Sequence, residues 1–217
     1  MERFHLKTLA LMVIRMGRRK GKKKELNNKI LIVCQGVTEY NYFEKFRVDL
    51  AEVSVEKCDD ECAKIIPKKC TESPKRVVEY AIKISNNKKY RMIWCVFDKD
   101  NFLDFEEAIT LAKKNGISCA FSNKDFELWF LMHLKKQHTH INDDECKKKL
   151  GEYLNKKYEK TDTELYDRFK SKMNIAINNA KIIHQNWKKE GVCSPDRMVP
   201  CTNVYALVEE LLSWRKK

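Results

Sequence analysis

Apolar positions along the chain fall into two kinds of pattern. Ile30-Leu-Ile-Val-Cys34 is an unbroken apolar run that stops at Gln35-Gly36. Met92-Ile-Trp-Cys-Val-Phe97 runs in the same way into Asp98-Lys-Asp100, and Ile117-Ser-Cys-Ala-Phe121 into Ser122-Asn123. A short apolar run closed by a polar turn is the pattern of a strand buried on both faces. Val53-Ser-Val-Glu-Lys57 alternates and reads as a further short strand, and residues 59–73 read as loop. Between these runs the spacing is helical. Asn41–Ala51 puts Phe43, Phe46 and Leu50 on one face, and Phe102–Lys114 is amphipathic and stops at Asn115-Gly116. Ser73-Pro74 supplies an N-cap and a first-turn proline for a helix reaching about Ser85. Asp125–Leu134 is apolar nearly all round, so it belongs in the interior. Strands alternating with helices of this length predict an α/β fold, a mostly parallel sheet flanked by helices.

Beyond residue 142 no strand pattern is visible. Asp143–Lys156, Thr163–Lys189 and Asn203–Arg215 carry helical periodicity, with a loop at Gly191–Thr202. The chain therefore divides into a basic, poorly ordered arm (1–28), an α/β core (29–140) and a helical C-terminal part packed on that core (141–217). Six glycines leave no G-x-G-x-x-G and no phosphate-binding G-x4-G-K-[ST] loop, which excludes nucleotide binding by those routes.

Charge adds a partner class. Of the net +13, +8 lies in residues 1–24 and +5 on the rest. A basic arm on a mildly basic body fits a polyanion, most often nucleic acid, with Arg18, Arg19, Lys20, Lys22, Lys23 and Lys24 as phosphate contacts. A merely solubilising arm is the alternative. Leu9–Ile14 is too short to span a bilayer, and its positive charge follows the apolar run instead of preceding it, so neither membrane insertion nor a secretory signal is expected. Met16 opens a cleaner start, and residues 1–15 are expected to be a start-site misassignment. Nine cysteines without a secretory signal read as reduced thiols of a cytoplasmic protein. Cys34, Cys95 and Cys119 read as small core residues. Cys58, Cys62 and Cys70 form a C-x3-C-x7-C cluster that lacks a fourth zinc ligand at preferred spacing.

The candidate chemistry sits at the strand ends. Asp98 and Asp100 are two apart, and on an extended segment both would face one side. Paired carboxylates call for a cation, and oxygen ligands suit Mg²⁺ or Mn²⁺. Asn123 lies at the same sheet edge, as a phosphate or metal contact or as a plain turn residue. Glu127 falls in the apolar helix, where a carboxylate needs a partner and is either a salt-bridged structural group or part of the site. Thr38 reads equally as a cap of the helix after Gly36. His133, Trp94, Trp129 and Tyr42 read most simply as packing residues.

In these motifs, I-L-I-V-C-Q-G-x-T-E-x-N-Y-F, C-V-F-D-K-D, F-S-N-x-x-F-E-L-W-F-L-M-H and T-N-V-Y-x-L-V-E-E-L-L, the chain resembles the RloB-like (AbiLii) family of the Toprim superfamily over residues 29–213. The resemblance implies a Toprim-like sheet and a metal-dependent nuclease effector of prokaryotic antiphage defence (abortive infection). It also implies RNA or DNA as substrate and an ABC/AAA-type ATPase partner. Asp98 and Asp100 match the metal-binding aspartates. Gln35 stands where the family usually has a Glu; its amide oxygen can ligate a hard cation but exchanges no proton. Glu39, from the T-E pair, and Glu127 are then the carboxylates left for catalysis beside Asp98 and Asp100. A second reading follows from the same glutamine, a regulatory or nucleic-acid-binding subunit that has lost turnover. A third, a basic nucleic-acid binder with an unrelated helical C-terminal half, owes nothing to metal.

Overall fold

The computed structural model describes residues 29–49, 53–57, 73–86 and 90–215. The basic arm and Cys58, Cys62 and Cys70 lie outside them. Five strands form one sheet: β1 (Ile30–Cys34), β2 (Val53–Lys57), β3 (Met92–Asp98), β4 (Ser118–Asn123) and β5 (Cys201–Thr202). Their order is β2-β1-β3-β4-β5, with β1 to β4 parallel and β5 antiparallel to β4. The helices are α1 (Val37–Asp49), α2 (Pro74–Ser85), α3 (Phe105–Lys114), α4 (Glu127–Met132), α5 (Asp143–Leu154), α6 (Leu165–Phe169), α7 (Met173–Lys189) and α8 (Val204–Arg215). The α/β class and the mostly parallel sheet are as the sequence predicts.

Alternation along the buried strands sorts the core into two layers. Leu31, Val33, Cys95 and Phe97 face α2 and α3 and meet Val77, Val78, Phe105 and Ala108. Ile30, Ile32, Cys34, Trp94 and Val96 face the other way, into a larger core shared with α1 and the helices from α4 onward. There Tyr42 touches the rings of Phe43, Phe46, Phe126, Phe130 and Tyr166 and donates its hydroxyl to Met173 Sδ at 3.3 Å. All six residues of α4 are buried, as its apolar circumference requires. Gly116 ends α3 at φ 67°, the left-handed stop expected of Asn115-Gly116. His133 is a core residue: Nδ1 pairs with Trp129 O at 2.9 Å, and burial lowers its pKa to about 4.

The structure corrects the sequence reading at two places in the C-terminal half. The segment 163–189 is not one helix: α6 packs on α1 and α7 on α4, and a 3-10 turn at Lys170–Lys172 redirects the chain between them. A strand also exists beyond residue 142. β5 is two residues long, too short for any periodicity, and forms because Thr202 and Asn203 complete the β4 edge. Ser122 and Thr202 hydroxyls are 3.0 Å apart, and Thr202 Oγ1 donates to Phe121 O at 3.0 Å. Asn203 Oδ1 accepts from Phe121 N while its Nδ2 donates to Cys119 O at 3.0 Å, so one side chain replaces a strand. Asn203→Ala leaves both backbone groups without these partners. It is expected to cost about 1–3 kcal/mol, seen as a lower urea midpoint at unchanged m.

Candidate active site

The strand order reverses between β1 and β3, because β2 lies on one side of β1 and β3 on the other. Ligands of open α/β sheets bind beyond the carboxyl ends of the strands at such a switch point. In this chain those ends are Gln35-Gly36 and Asp98. The parallel register of β1 and β3 aligns Cys34 with Val96. Gln35 N then donates to Val96 O at 2.9 Å, and Asp98 N donates to Gln35 Oε1 at 2.7 Å. Gln35 thus joins the two strand ends through its backbone and its amide oxygen.

Asp98 shares strand parity with Trp94 and Val96, so it lies toward the larger core, from which Glu39 and Glu127 approach. Burial raises its pKa well above the carboxylate range, and Glu39, Glu127 and Asp125 raise it further. The Phe126 N–H opposes the shift. Asp98 Oδ1 is buried with no hydrogen-bond partner.

Glu39 lies in the first turn of α1, three residues after Gly36, and reaches back to the Gly36 backbone in the manner of a capping box. A Cβ on Gly36 would stand 2.6 Å from Glu39 Oε2, so a side chain here would displace the Glu39 carboxylate from this position. Burial pushes Glu39 up to about 7; Glu127 adds to the rise, while Lys160 and the backbone N–H groups oppose it. Glu127, 3% exposed, opens α4 and is held from one loop: Tyr158 donates its hydroxyl at 3.1 Å and Lys160 Nζ stands at 3.4 Å. Asp125 is raised to about 7 by burial and by its hydrogen bond to Asp143, which is lowered by the same bond.

The structure therefore brings Asp98, Glu39 and Glu127 into one electrostatic cluster with Gln35 at its rim. Asp100 lies differently from expectation. β3 ends at Asp98, and Asp100 is an exposed turn residue at φ 39°, so the extended geometry that would align the two aspartates stops between them. Asn123 is buried and donates to Pro195 O at 3.1 Å and Asp196 O at 3.0 Å, fixing that turn. Thr38 does not cap α1: its hydroxyl donates to Lys160 O at 3.1 Å. The sequence reading missed Asp125, Asp143, Tyr158 and Lys160. Tyr158 and Lys160 lie in an aperiodic loop over a hundred residues from Glu39, and no local signal marks them.

The donor chemistry fits a hard divalent cation: an unpartnered buried carboxylate oxygen beside acids that repel one another. Among the described residues, no three Asp, Glu, His or Cys side chains already converge to hold a metal ion. Asp98 and Glu39 are the residues that would hold one.

Fold and site define an α/β protein with an acidic cluster at the switch point of a parallel sheet. The chain belongs to the RloB-like protein family, whose model matches residues 30–211. No curated protein and no solved structure matches it. No helix of the described residues is long and apolar enough to cross a membrane.

The raised acids set a pH dependence. The folded chain binds the Glu39 proton more tightly than the unfolded chain, so this contribution to stability is complete below about pH 4.5 and is lost as pH rises through about 7. Asp98 and Asp125 act in the same direction. Without divalent ions, stability should fall between pH 5 and 8. Glu39→Gln, which keeps an acceptor for the Gly36 N–H, should flatten that fall by on the order of 2–3 kcal/mol, read from urea midpoints across pH.

Proposed function

We propose that the protein is a metal-dependent Toprim nuclease-type effector of prokaryotic antiphage defence, cleaving phosphodiester bonds in RNA or DNA with Mg²⁺ or Mn²⁺ and working with an ABC/AAA-type ATPase partner. One observation carries the reading. Asp98, Glu39 and Glu127 meet where a parallel α/β sheet binds ligands, and Asp98 keeps a buried oxygen without a partner. Membership of the RloB-like family supports it.

A divalent ion at Asp98 and Glu39 would supply Lewis-acid stabilisation of phosphate charge. The remaining roles belong to the chain. Gln35 fixes the Asp98 backbone through its amide oxygen. Glu39, raised to about 7 without metal, would give up its proton when the ion binds and hold the ion as a carboxylate. Glu127 keeps Tyr158 and Lys160 at the edge of the site. Phosphate contacts from Arg18, Arg19, Lys20, Lys22, Lys23 and Lys24 would make affinity fall with salt.

Gln35 favours the second reading, a nucleic-acid-binding or regulatory subunit without turnover, because an amide cannot exchange the proton a glutamate would. Cleavage of tRNA, single-stranded DNA and duplex DNA by wild type, Asp98→Ala, Glu39→Gln and Gln35→Glu separates the two. The expected result is Mn²⁺-dependent cleavage by wild type, lost in Asp98→Ala and strongly reduced in Glu39→Gln. An inert wild type beside an active Gln35→Glu would establish the non-catalytic reading.

A further inference from the structure

Residues 158–161 lie against the carboxylate cluster, and their side-chain hydrogen bonds and ion pair fall on the two helices that carry Glu39 and Glu127. Thr38 and Asn41, in α1, donate to Lys160 O at 3.1 Å and Thr161 O at 3.3 Å. Glu127, opening α4, accepts from the Tyr158 hydroxyl at 3.1 Å and pairs with Lys160 Nζ at 3.4 Å. Peptide groups are thus held at one end and side chains at the other, with Lys160 engaged at both. We propose that Lys160 is a resident cation of the site. Its ammonium occupies, at the Glu127 end, a position that a divalent ion would otherwise take, and residues 158–161 are the strap that keeps it there. The inference rests on the metal-dependent reading above and fixes how many ions the cluster accepts.

Several observations support this role. Lys160 faces more than one acid: its charge acts on Glu39, Asp98, Asp125, Glu127 and Asp143. Lys124 and Lys147 also act on Asp143. The Glu127 carboxylate is 4% exposed, whereas the Lys160 side chain is 51% exposed, so the acid is fixed and the cation approaches from the solvent side. Without the ammonium the buried Glu127 charge would lose its compensation, which favours a seated Lys160. Thr38 and Asn41, bound to the carbonyls of Lys160 and Thr161, anchor the strap so that the ammonium stays at Glu127. With Lys160 seated, the Glu127 end is neutralised without metal, and the Asp98–Glu39 end is left for one divalent ion.

Mn²⁺ binding to the full-length chain, counted by electron paramagnetic resonance of the free ion, tests the proposal independently of cleavage. Lys160→Met is expected to bind one more Mn²⁺ per chain than wild type, and Lys160→Arg the same number as wild type. Should Lys160→Met fail to fold, Thr38→Val combined with Asn41→Ala releases the strap and is expected to admit the same additional ion. Equal stoichiometry in wild type and the charge-removed or strap-released variant overturns the proposal. Asp98→Asn keeps the two readings apart. Loss of the wild-type ion in that variant supports the metal-dependent site even if Lys160→Met adds none. A wild type that binds no Mn²⁺ beside a Lys160→Met that binds one removes the metal reading of the native chain and leaves the Lys160 assignment standing.

Discussion

The parallel pairing of β1 with β3 is the constraint on which the rest of the site depends. Its register aligns Cys34 with Val96, so β3 runs two residues past the end of β1 and brings Asp98 beside the Gln35-Gly36 turn. Gln35 converts that alignment into a direct link, its amide oxygen accepting the Asp98 N–H at 2.7 Å. Strand parity then sends Asp98 to the same side as Trp94 and Val96, where α1 and α4 present Glu39 and Glu127. A shift of one residue would send Asp98 toward α2 and α3, away from both glutamates.

Desolvation decides the chemistry of what gathers there. Carboxylates removed from water beside like charges hold protons to unusually high pH, and Glu39 reaches about 7 for that reason. Three features lower the cost: the Gly36 backbone beneath Glu39, the Phe126 N–H at Asp98 and the Lys160 ammonium at Glu127. The Glu39 carboxylate lies where a side chain on Gly36 would be. The turn that the apolar run leads into therefore serves geometry twice, once through Gln35 and once through Gly36.

The helical C-terminal part belongs to this arrangement as much as the sheet does. α6 and α7 complete the aromatic core around Tyr42 and Phe130, and the loop ahead of α6 carries Tyr158 and Lys160 onto the acids. Thr202 and Asn203, from the far end of the chain, complete the edge of β4. Residues that read as an appendage to an α/β core thus supply the sheet's last strand and one wall of its site.

The sequence by itself determined the buried strands, the helices between them, the polar strand ends and the acids Asp98, Glu39 and Glu127. All but Glu39, which the family resemblance alone singled out, rest on short-range periodicity or on a side chain adjoining a buried run. Continuous apolar runs force a two-sided sheet, and the residue after such a run must lie at its edge. The tertiary structure decided what sequence spacing cannot carry. Asp100 leaves the line of β3 because its backbone turns left-handed, a local choice no apolar pattern records. Asn123 is bound to carbonyls more than seventy residues away, and β5 exists only through its pairing with β4. Lys160 reaches Glu127 and Thr38 across loops whose composition says nothing of their path, because contacts between distant segments are set by packing of the whole core.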